Sequence, residues 1–125
     1  HHLLLVEDND VNRKVACRTL EKLGYQVDTA VDGKAGLAAW VAGRYDLILM
    51  DCQMPQLDGY EATREIRRLE KGEGRIPIVA LTAHAMRGDD EQCFAAGMDA
   101  HLSKPIDREQ LDVTLLRFLQ EKASA

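Results

Sequence analysis

The stretch Leu47-Ile48-Leu49-Met50-Asp51 places four apolar side chains directly before a carboxylate. A continuous apolar run of this kind is typical of a strand that is covered on both faces of a parallel sheet. An ionised carboxylate at the end of such a strand is costly to bury unless a partner or a function requires it. The stretch therefore predicts both a buried strand and a site at its carboxyl end.

Other short runs along the chain also end in polar groups. These are residues 3–6 followed by Glu7 and Asp8, residues 78–81 followed by Thr82, and residues 100–103 followed by Lys104. The carboxyl ends of parallel strands meet at one edge of a sheet, and ligands bind in the crevice outside that edge. The four polar positions therefore predict one site that is assembled from distant segments.

Strand-like runs and helical periodicity alternate five times along the chain. Strands are predicted at about 3–6, 26–30, 46–50, 77–82 and 99–102. Helices are predicted at about 33–42, 58–70 and 88–96. A first helix is predicted from Val11, Val15, Ala16, Leu20 and Leu23 with a stop at Gly24, and a last one from Leu111, Leu115, Phe118 and Leu119 on one face. This alternation predicts a parallel five-stranded sheet joined by right-handed crossovers. The second run mixes polar with apolar residues and is expected at an edge, which gives a flavodoxin-like three-layer sandwich with strand order 2-1-3-4-5.

The bulk composition predicts one globular domain over residues 1–125. The chain is 46% apolar and 30% charged, with a net charge of -5, so nothing points to nucleic-acid or membrane-surface binding. No apolar run approaches the roughly 20 residues of a membrane span, and no signal peptide is recognisable. The three cysteines lack metal-ligand or CxxC spacing, and we expect a reduced, cytoplasmic protein.

Three carboxylates that converge at the switch point between strands one and three predict a cation site. Glu7, Asp8 and Asp51 would repel one another strongly unless a cation intervened. A hard ion such as Mg²⁺ prefers oxygen ligands, and the lack of His and Cys ligands argues against zinc. Together with Lys104 as a fixed positive charge and Thr82 as a hydroxyl donor, the cluster would suit phosphoryl transfer to a carboxylate.

A simpler interpretation exists for part of this set. The run Glu7-Asp8-Asn9-Asp10 would also serve as an N-cap cluster for the first helix, with Asn9 or Asp10 as the cap. Thr82 and Lys104 taken singly are ordinary for a strand end and a solvated loop. Only their joint placement at four strand ends favours a functional site.

The residues also resemble a known family, the response-regulator receiver domains of two-component signalling, over the full chain. The motifs that carry the resemblance are Val6-Glu7-Asp8-Asn9, Asp51-Cys52-Gln53-Met54-Pro55 with Asp58-Gly59, Leu81-Thr82-Ala83, and Lys104-Pro105. The string Glu7-Asp8-Asn9-Asp10-Val11-Asn12 is most similar to receivers of hybrid sensor histidine kinases.

The resemblance implies a Mg²⁺-dependent phosphoacceptor in which Asp51 takes phosphate from a phosphohistidine. Asp8, Asp51 and the Gln53 backbone carbonyl would bind Mg²⁺, with Glu7 acting mainly through water. Thr82 and Lys104 would hold the phosphoryl oxygens, and the Lys104-Pro105 bond is expected to be cis.

The resemblance also assigns residues that transmit or tune the signal. Thr82 would move toward the phosphate, and an aromatic residue three positions before the lysine would swing inward. That position holds His101 here, which departs from the usual Tyr or Phe and predicts a weaker or pH-sensitive switch. His84 and Gln53 occupy the positions that flank the attacking water and tune the phosphate lifetime.

The expected activity is self-catalysed phosphorylation and slow dephosphorylation at Asp51, without turnover as an enzyme. If the domain is part of a hybrid protein, the parent would be a histidine kinase, and some such parents would be anchored in a membrane. The expected partner is a histidine kinase or a histidine-containing phosphotransfer protein, and the domain is expected to be a monomer or weak dimer. A stand-alone single-domain regulator is the alternative context. More distant alternatives are a flavodoxin-like nucleotide binder, a metal-dependent phosphatase and a non-catalytic interaction module.

Overall fold

A computed structural model describes residues 2–52, 59–70, 76–82, 94–103 and 107–124. Its strands are β1 His2–Val6, β2 Gln26–Ala30, β3 Leu47–Asp51, β4 Ile78–Thr82 and β5 Ala100–Ser103. Its helices are α1 Asp10–Lys22, α2 Gly33–Ala42, α3 Gly59–Glu70 and a C-terminal helix Arg108–Ser124. Residues 94–96 are also helical. No helix in these ranges is both long and apolar enough to cross a membrane.

The five strands form one parallel sheet in the order β2-β1-β3-β4-β5. The predicted strand order and the edge position of β2 are therefore confirmed. All residues of β3 and β4 are buried, whereas β2 buries Ala30 alone. The chain order reverses between β1 and β3, which places the switch point where it was expected.

Two apolar cores cover the two faces of the sheet. Alternate strand residues point to opposite faces, so Leu4 and Val6 pack into one core while Leu3 and Leu5 pack into the other. The first core takes Ala62 and Ile66 from α3, and part-buried side chains of α2 pack against it. The second core takes residues from α1 and the C-terminal helix: Ala16, Leu20, Leu111, Leu115 and Leu119. The result is the predicted three-layer sandwich.

In helix α1 the apolar pattern predicts the helix but not which of its apolar residues are buried. Val11, Val15, Ala16 and Leu20 recur at helical spacing, and the helix they predict is present. Only Ala16 and Leu20 of these are buried, whereas Val11 is 69% and Val15 60% exposed. Periodicity establishes the helix, but the packing against the sheet decides which side is covered.

Capping residues fix the ends of α1. Asn9 is the N-cap, and its side chain accepts a hydrogen bond of 2.9 Å from the Asn12 backbone N–H. After the helix, Gly24 has φ +98°, a left-handed conformation that glycine adopts without steric cost. The cap alternative for residues 7–10 is thus realised by Asn9, which leaves Glu7 and Asp8 ahead of the helix.

Strand β1 begins one residue earlier and β4 one residue later than predicted, and two other strands are shifted by one residue at both ends. Strand β3 runs 47–51 instead of 46–50, because Asp51 pairs with Leu81 of β4. Strand β5 runs 100–103 instead of 99–102, because Ser103 lies opposite Thr82. Both shifts extend the sheet toward the carboxyl edge, so Asp51 is the last residue of its strand.

An arginine joins the opposite, amino-terminal edge of the sheet to α3. Arg67 donates to both Glu70 carboxylate oxygens (2.9 and 3.2 Å), to Asp99 Oδ2 (2.8 Å) and to the Ile76 and Gly97 carbonyls (both 2.8 Å). Its side chain is only 13% exposed. We call Arg67, Glu70 and Asp99 the Arg67 cluster.

Candidate functional site

The sheet brings Glu7, Asp8 and Asp51 together at its carboxyl edge. One carboxylate oxygen from each residue lies within 4.8 Å of the others. Val6 lies opposite Met50 in the register, so the residues that follow, Glu7 and Asp51, adjoin across the β1–β3 pair. The predicted convergence of these three side chains is found in the structure.

Burial differs sharply within this cluster. Glu7 and Asp51 are each 2% exposed, whereas Asp8 is exposed to solvent. Two buried carboxylates thus lie beside a third that is exposed to solvent. Such close carboxylates repel one another, and a cation between their oxygens relieves that repulsion.

The backbone around the cluster is held by hydrogen bonds from several segments. The Glu7 N–H donates to the Ala30 carbonyl at 3.0 Å, and the Asn9 N–H donates to Glu7 Oε1 at 3.2 Å. The Cys52 N–H donates to the Leu81 carbonyl at 3.0 Å. These bonds fix where β1 and β3 end, and therefore where their carboxylates lie.

Gly59 allows helix α3 to begin directly against the end of β3. A Cβ at this position would clash with the Asp51 carbonyl oxygen and lie 3.0 Å from the Cys52 Cα. The Thr63 hydroxyl, fully buried, donates to the Gly59 carbonyl at 2.7 Å. The absence of a side chain at residue 59 is thus a condition for the observed position of Asp51.

Thr82 is the last residue of β4 and is 3% exposed. Leu81 pairs with Asp51, and Thr82 is the next residue of β4. Three of the four strand ends of the predicted site are therefore adjacent in the sheet. Gln53, His84, Lys104 and Pro105 lie outside the described residues, and the expectations about them stay predictions.

His101 is the second residue of β5 and lies opposite Ala80. Its ring is half-buried and meets Phe94 edge to face, with centroids 6.4 Å apart. The structure thus places an aromatic neighbour beside the histidine that occupies the expected switch position. The predicted switching role itself remains a prediction.

The two cysteines in the described part of the chain give no support for redox chemistry, and Cys93 lies outside it. Cys17 and Cys52 are free thiols, and Cys52 is buried beside Asp51. Burial raises the pKa of the Cys17 thiol, and its hydrogen bond to the Glu21 carboxylate raises it further. A raised pKa keeps the thiol protonated near neutral pH, which lowers its reactivity.

Arg13 is the residue near the site that the motifs did not indicate. Its guanidinium donates to the Glu7 carbonyl at 3.0 Å and also to the Asp10 carboxylate. The side chain is 17% exposed. Its spacing, three residues after Asp10 on one helix face, was the available signal.

Comparisons with known proteins agree with the fold and the cluster. The family model of the response regulator receiver domain matches residues 3–116. The chain is 46% identical over 122 residues to the hybrid signal transduction protein dokA of Dictyostelium discoideum and 42% identical over 117 residues to the aerobic respiration control sensor protein ArcB of Escherichia coli. These alignments cover 95% and 94% of this chain but only 7% and 15% of those proteins.

Two solved structures are similar throughout. The receiver domain of the Pseudomonas aeruginosa sensor histidine kinase PA1611, which holds a magnesium ion in its active-site cleft, is 50% identical with a TM-score of 0.87; the match covers 95% of this chain and 97% of that one. The receiver domain of yeast Ssk1, in complex with the histidine phosphotransfer protein Ypd1, is 31% identical with a TM-score of 0.91, covering 98% and 90%. The parallel sheet, the acidic cluster at its switch point and these matches together establish that this chain belongs to the response regulator receiver domain family.

Proposed function

We propose that Asp51 accepts a phosphoryl group from a phosphohistidine in a Mg²⁺-dependent reaction. The observation that carries this proposal is the buried Asp51 carboxylate with the Glu7 and Asp8 oxygens within 4.8 Å. A carboxylate buried without a function would be costly, whereas a nucleophile must be held in a defined position. Membership of the receiver family supports the same role.

The donor set fits a hard divalent cation. All three side chains offer carboxylate oxygens, which Mg²⁺ prefers, and Asp8 is exposed, so the ion can keep some of its water. We assign Asp8 and Asp51 as direct ligands and Glu7 as a ligand mainly through water. The Gln53 carbonyl, outside the described residues, would be a further ligand. When bound, the ion neutralises negative charge on the phosphoryl oxygens.

The transfer itself is a displacement at phosphorus. An Asp51 carboxylate oxygen attacks the phosphorus atom, an O–P bond forms, and the N–P bond to the donor imidazole breaks with its electron pair on nitrogen. The Thr82 hydroxyl donates to one phosphoryl oxygen, and the Lys104 ammonium neutralises another. Thr82 is the last residue of β4, and Lys104, which lies outside the described residues, follows β5 in the sequence; these positions support the proposed roles.

The donor must be a protein that carries phosphohistidine, either a histidine kinase or a histidine-containing phosphotransfer protein. Helix α1 begins beside the acidic cluster and exposes Val11 and Val15, which are four residues apart on one face. We propose that the donor protein covers this pair of side chains while its imidazole reaches Asp51. The complex of a similar receiver with Ypd1 supports a partner of this class.

The cellular context is also a proposal. Relatives such as dokA and ArcB are much longer than this chain, which favours the receiver of a hybrid sensor histidine kinase over a stand-alone regulator. In that case the parent protein would have the kinase activity, and the receiver would relay or store phosphate as a monomer or weak dimer. The free thiols Cys17 and Cys52 favour a reducing compartment such as the cytoplasm.

The decisive experiment replaces the nucleophile without changing its size. Asp51→Asn should abolish hydroxylamine-labile phosphate incorporation from a phosphorylated histidine donor, because an amide does not attack phosphorus. Incorporation is measured with radiolabelled donor protein in the presence of Mg²⁺, with exposed Asp28→Asn as the matched control. Equal labelling of Asp51→Asn and the unsubstituted chain would exclude the proposed mechanism.

A further inference from the structure

Arg13 contacts the segment that carries two of the three clustered carboxylates. Its Nη1 donates to the Glu7 backbone carbonyl at 3.0 Å, and its Nη2 donates to Asp10 Oδ1. The backbone N–H of Arg13 donates to the carbonyl of the N-cap residue Asn9 at 2.9 Å. One residue therefore connects the first turn of the helix with the peptide between Glu7 and Asp8.

The two hydrogen bonds of the guanidinium differ in what they fix. Asp10 is 76% exposed, and an ion pair with so exposed a carboxylate contributes little to stability. Glu7 is 2% exposed and lies one residue past the end of β1, where its carbonyl accepts the Arg13 hydrogen bond. A charge-assisted bond to a backbone carbonyl at such a position restrains the peptide plane that carries Asp8.

We propose that Arg13 is a positioning residue that sets the Mg²⁺ affinity of the acidic cluster. It holds the Glu7–Asp8 peptide so that both carboxylates face Asp51, and Asp10 in turn orients the guanidinium. Residues that orient metal ligands from outside the coordination sphere commonly change metal affinity by about 10- to 100-fold when removed. The inference rests on the proposed Mg²⁺ site.

The planar pair of donors of the guanidinium is essential to this role, and a positive charge without it does not suffice. A positive charge close to a cation site opposes cation binding, so a purely electrostatic effect of Arg13 would weaken Mg²⁺ affinity. A lysine keeps the charge but lacks the planar pair of donors that reaches two acceptors at once. The two explanations therefore predict opposite results for Arg13→Ala, and only the positioning role predicts weaker binding in Arg13→Lys.

Mg²⁺ binding measured by isothermal titration calorimetry separates these explanations. Arg13→Lys and Arg13→Ala should both raise the Mg²⁺ dissociation constant about tenfold. The matched control is Lys14→Ala, which removes an exposed positive charge from the next position of the same helix. Unchanged affinity in Arg13→Lys, or tighter binding in Arg13→Ala, would overturn the inference.

Phosphorylation by acetyl phosphate supplies a second readout. The Mg²⁺ concentration for half-maximal rate should rise in Arg13→Lys, while the rate at saturating Mg²⁺ stays within twofold of the unsubstituted chain. A lower rate at saturating Mg²⁺ with an unchanged half-maximal concentration contradicts a positioning role toward the metal. If the unsubstituted chain binds no Mg²⁺ at millimolar concentration, the proposed function fails together with the inference. If it binds and the Arg13 variants bind equally, only the inference fails.

Discussion

Single residues at the carboxyl edge of the sheet determine whether Asp51 is placed for chemistry. Gly59 is the clearest case, because its lack of a side chain lets α3 begin against the end of β3. The atoms that a Cβ would meet belong to the backbone of Asp51 and Cys52, which cannot move aside without shifting the strand end. The position of the nucleophile candidate thus depends on a residue that carries no functional group.

Gly59→Ala should therefore affect both stability and the site. We expect the free energy of unfolding to fall by about 1–3 kcal/mol, the usual cost of forcing extra atoms into a packed region. Mg²⁺ affinity should fall as well, because the Asp51 backbone must shift. Urea unfolding and calorimetric Mg²⁺ titration measure the two effects.

The matched control for this change is Gly43→Ala. There the nearest atom to an added Cβ is a Tyr45 ring carbon at 2.9 Å, which belongs to a side chain that can rotate. Gly43 is also remote from the acidic cluster, at the end of α2. Unaltered Mg²⁺ binding in Gly59→Ala would show that Asp51 does not depend on this close approach.

At the scale of elements, α1 combines two separate roles. Its inner side buries Ala16 and Leu20 in the second core, while Val11 and Val15 face solvent at the end nearest the acidic cluster. Exposed apolar residues scattered singly need no explanation, but two neighbours on one face beside a site are a candidate contact surface. Since Asp51 requires a protein donor in the proposed function, α1 is the described helix best placed to meet it.

Val11→Ser combined with Val15→Ser should slow phosphotransfer from a phosphohistidine protein about tenfold. The two lost apolar contacts are expected to contribute about 1.4 kcal/mol together, and that free energy corresponds to a factor of ten. Phosphorylation by acetyl phosphate should not change, because the substitutions leave the acidic cluster intact.

The control for the α1 substitutions is Val41→Ser on α2, which is 64% exposed in the unsubstituted chain. It removes a comparable exposed valine at the far end of another helix. Protein-dependent phosphotransfer that is equally fast in the α1 double variant and in Val41→Ser would refute the assignment of α1 as the docking helix.

The whole molecule divides into a carboxyl edge that bears the site and an amino edge that stabilises the sheet. At the amino edge the Arg67 cluster joins α3 to the beginnings of β4 and β5. Asp99 Oδ2 also accepts the Ile78 N–H at 2.9 Å, and Glu70 Oε2 accepts the Ile76 N–H at 2.7 Å. The side chains of the three cluster residues are 10–18% exposed, so their charges depend on one another for compensation.

Arg67→Ala should lower the free energy of unfolding by about 3 kcal/mol, because it leaves two largely buried carboxylates without their cation. Arg67→Lys should lower the free energy of unfolding by less, but it should not restore the original value. One ammonium cannot replace donors that reach two carboxylates and two carbonyls. Urea unfolding gives both values. Mg²⁺ affinity should be unchanged, because the cluster lies at the edge of the sheet opposite Asp51.

The exposed pair Arg68–Glu65 on the same helix is the control for the Arg67 substitutions. Their hydrogen bond and charges raise the pKa of Arg68 and lower that of Glu65, but both side chains lie in solvent. Arg68→Ala is therefore expected to leave the free energy of unfolding nearly unchanged. An equal loss in Arg67→Ala and Arg68→Ala would show that the Arg67 cluster contributes no more than a surface ion pair.

The sequence by itself determined the order of the elements and the identity of the clustered carboxylates. Apolar runs such as 47–50 predict strands because both faces of a parallel sheet are buried, and β-α alternation restricts the connections to one hand. Parallel strands end at a common edge, so Glu7, Asp8 and Asp51 could be placed together from their positions along the chain alone. The family motifs added the expected roles of Thr82 and Lys104.

The tertiary structure alone decided which surfaces are covered and which residues support the site. Periodicity assigns Val11 and Val15 to a helix, but the angle at which α1 packs on the sheet leaves them exposed. The Arg13 hydrogen bond to the Glu7 carbonyl and the close approach of Gly59 to the Asp51 backbone depend on tertiary packing, and no spacing rule in the sequence encodes such distances. Local chemistry thus determined the reacting groups, whereas long-range packing determined how they are held.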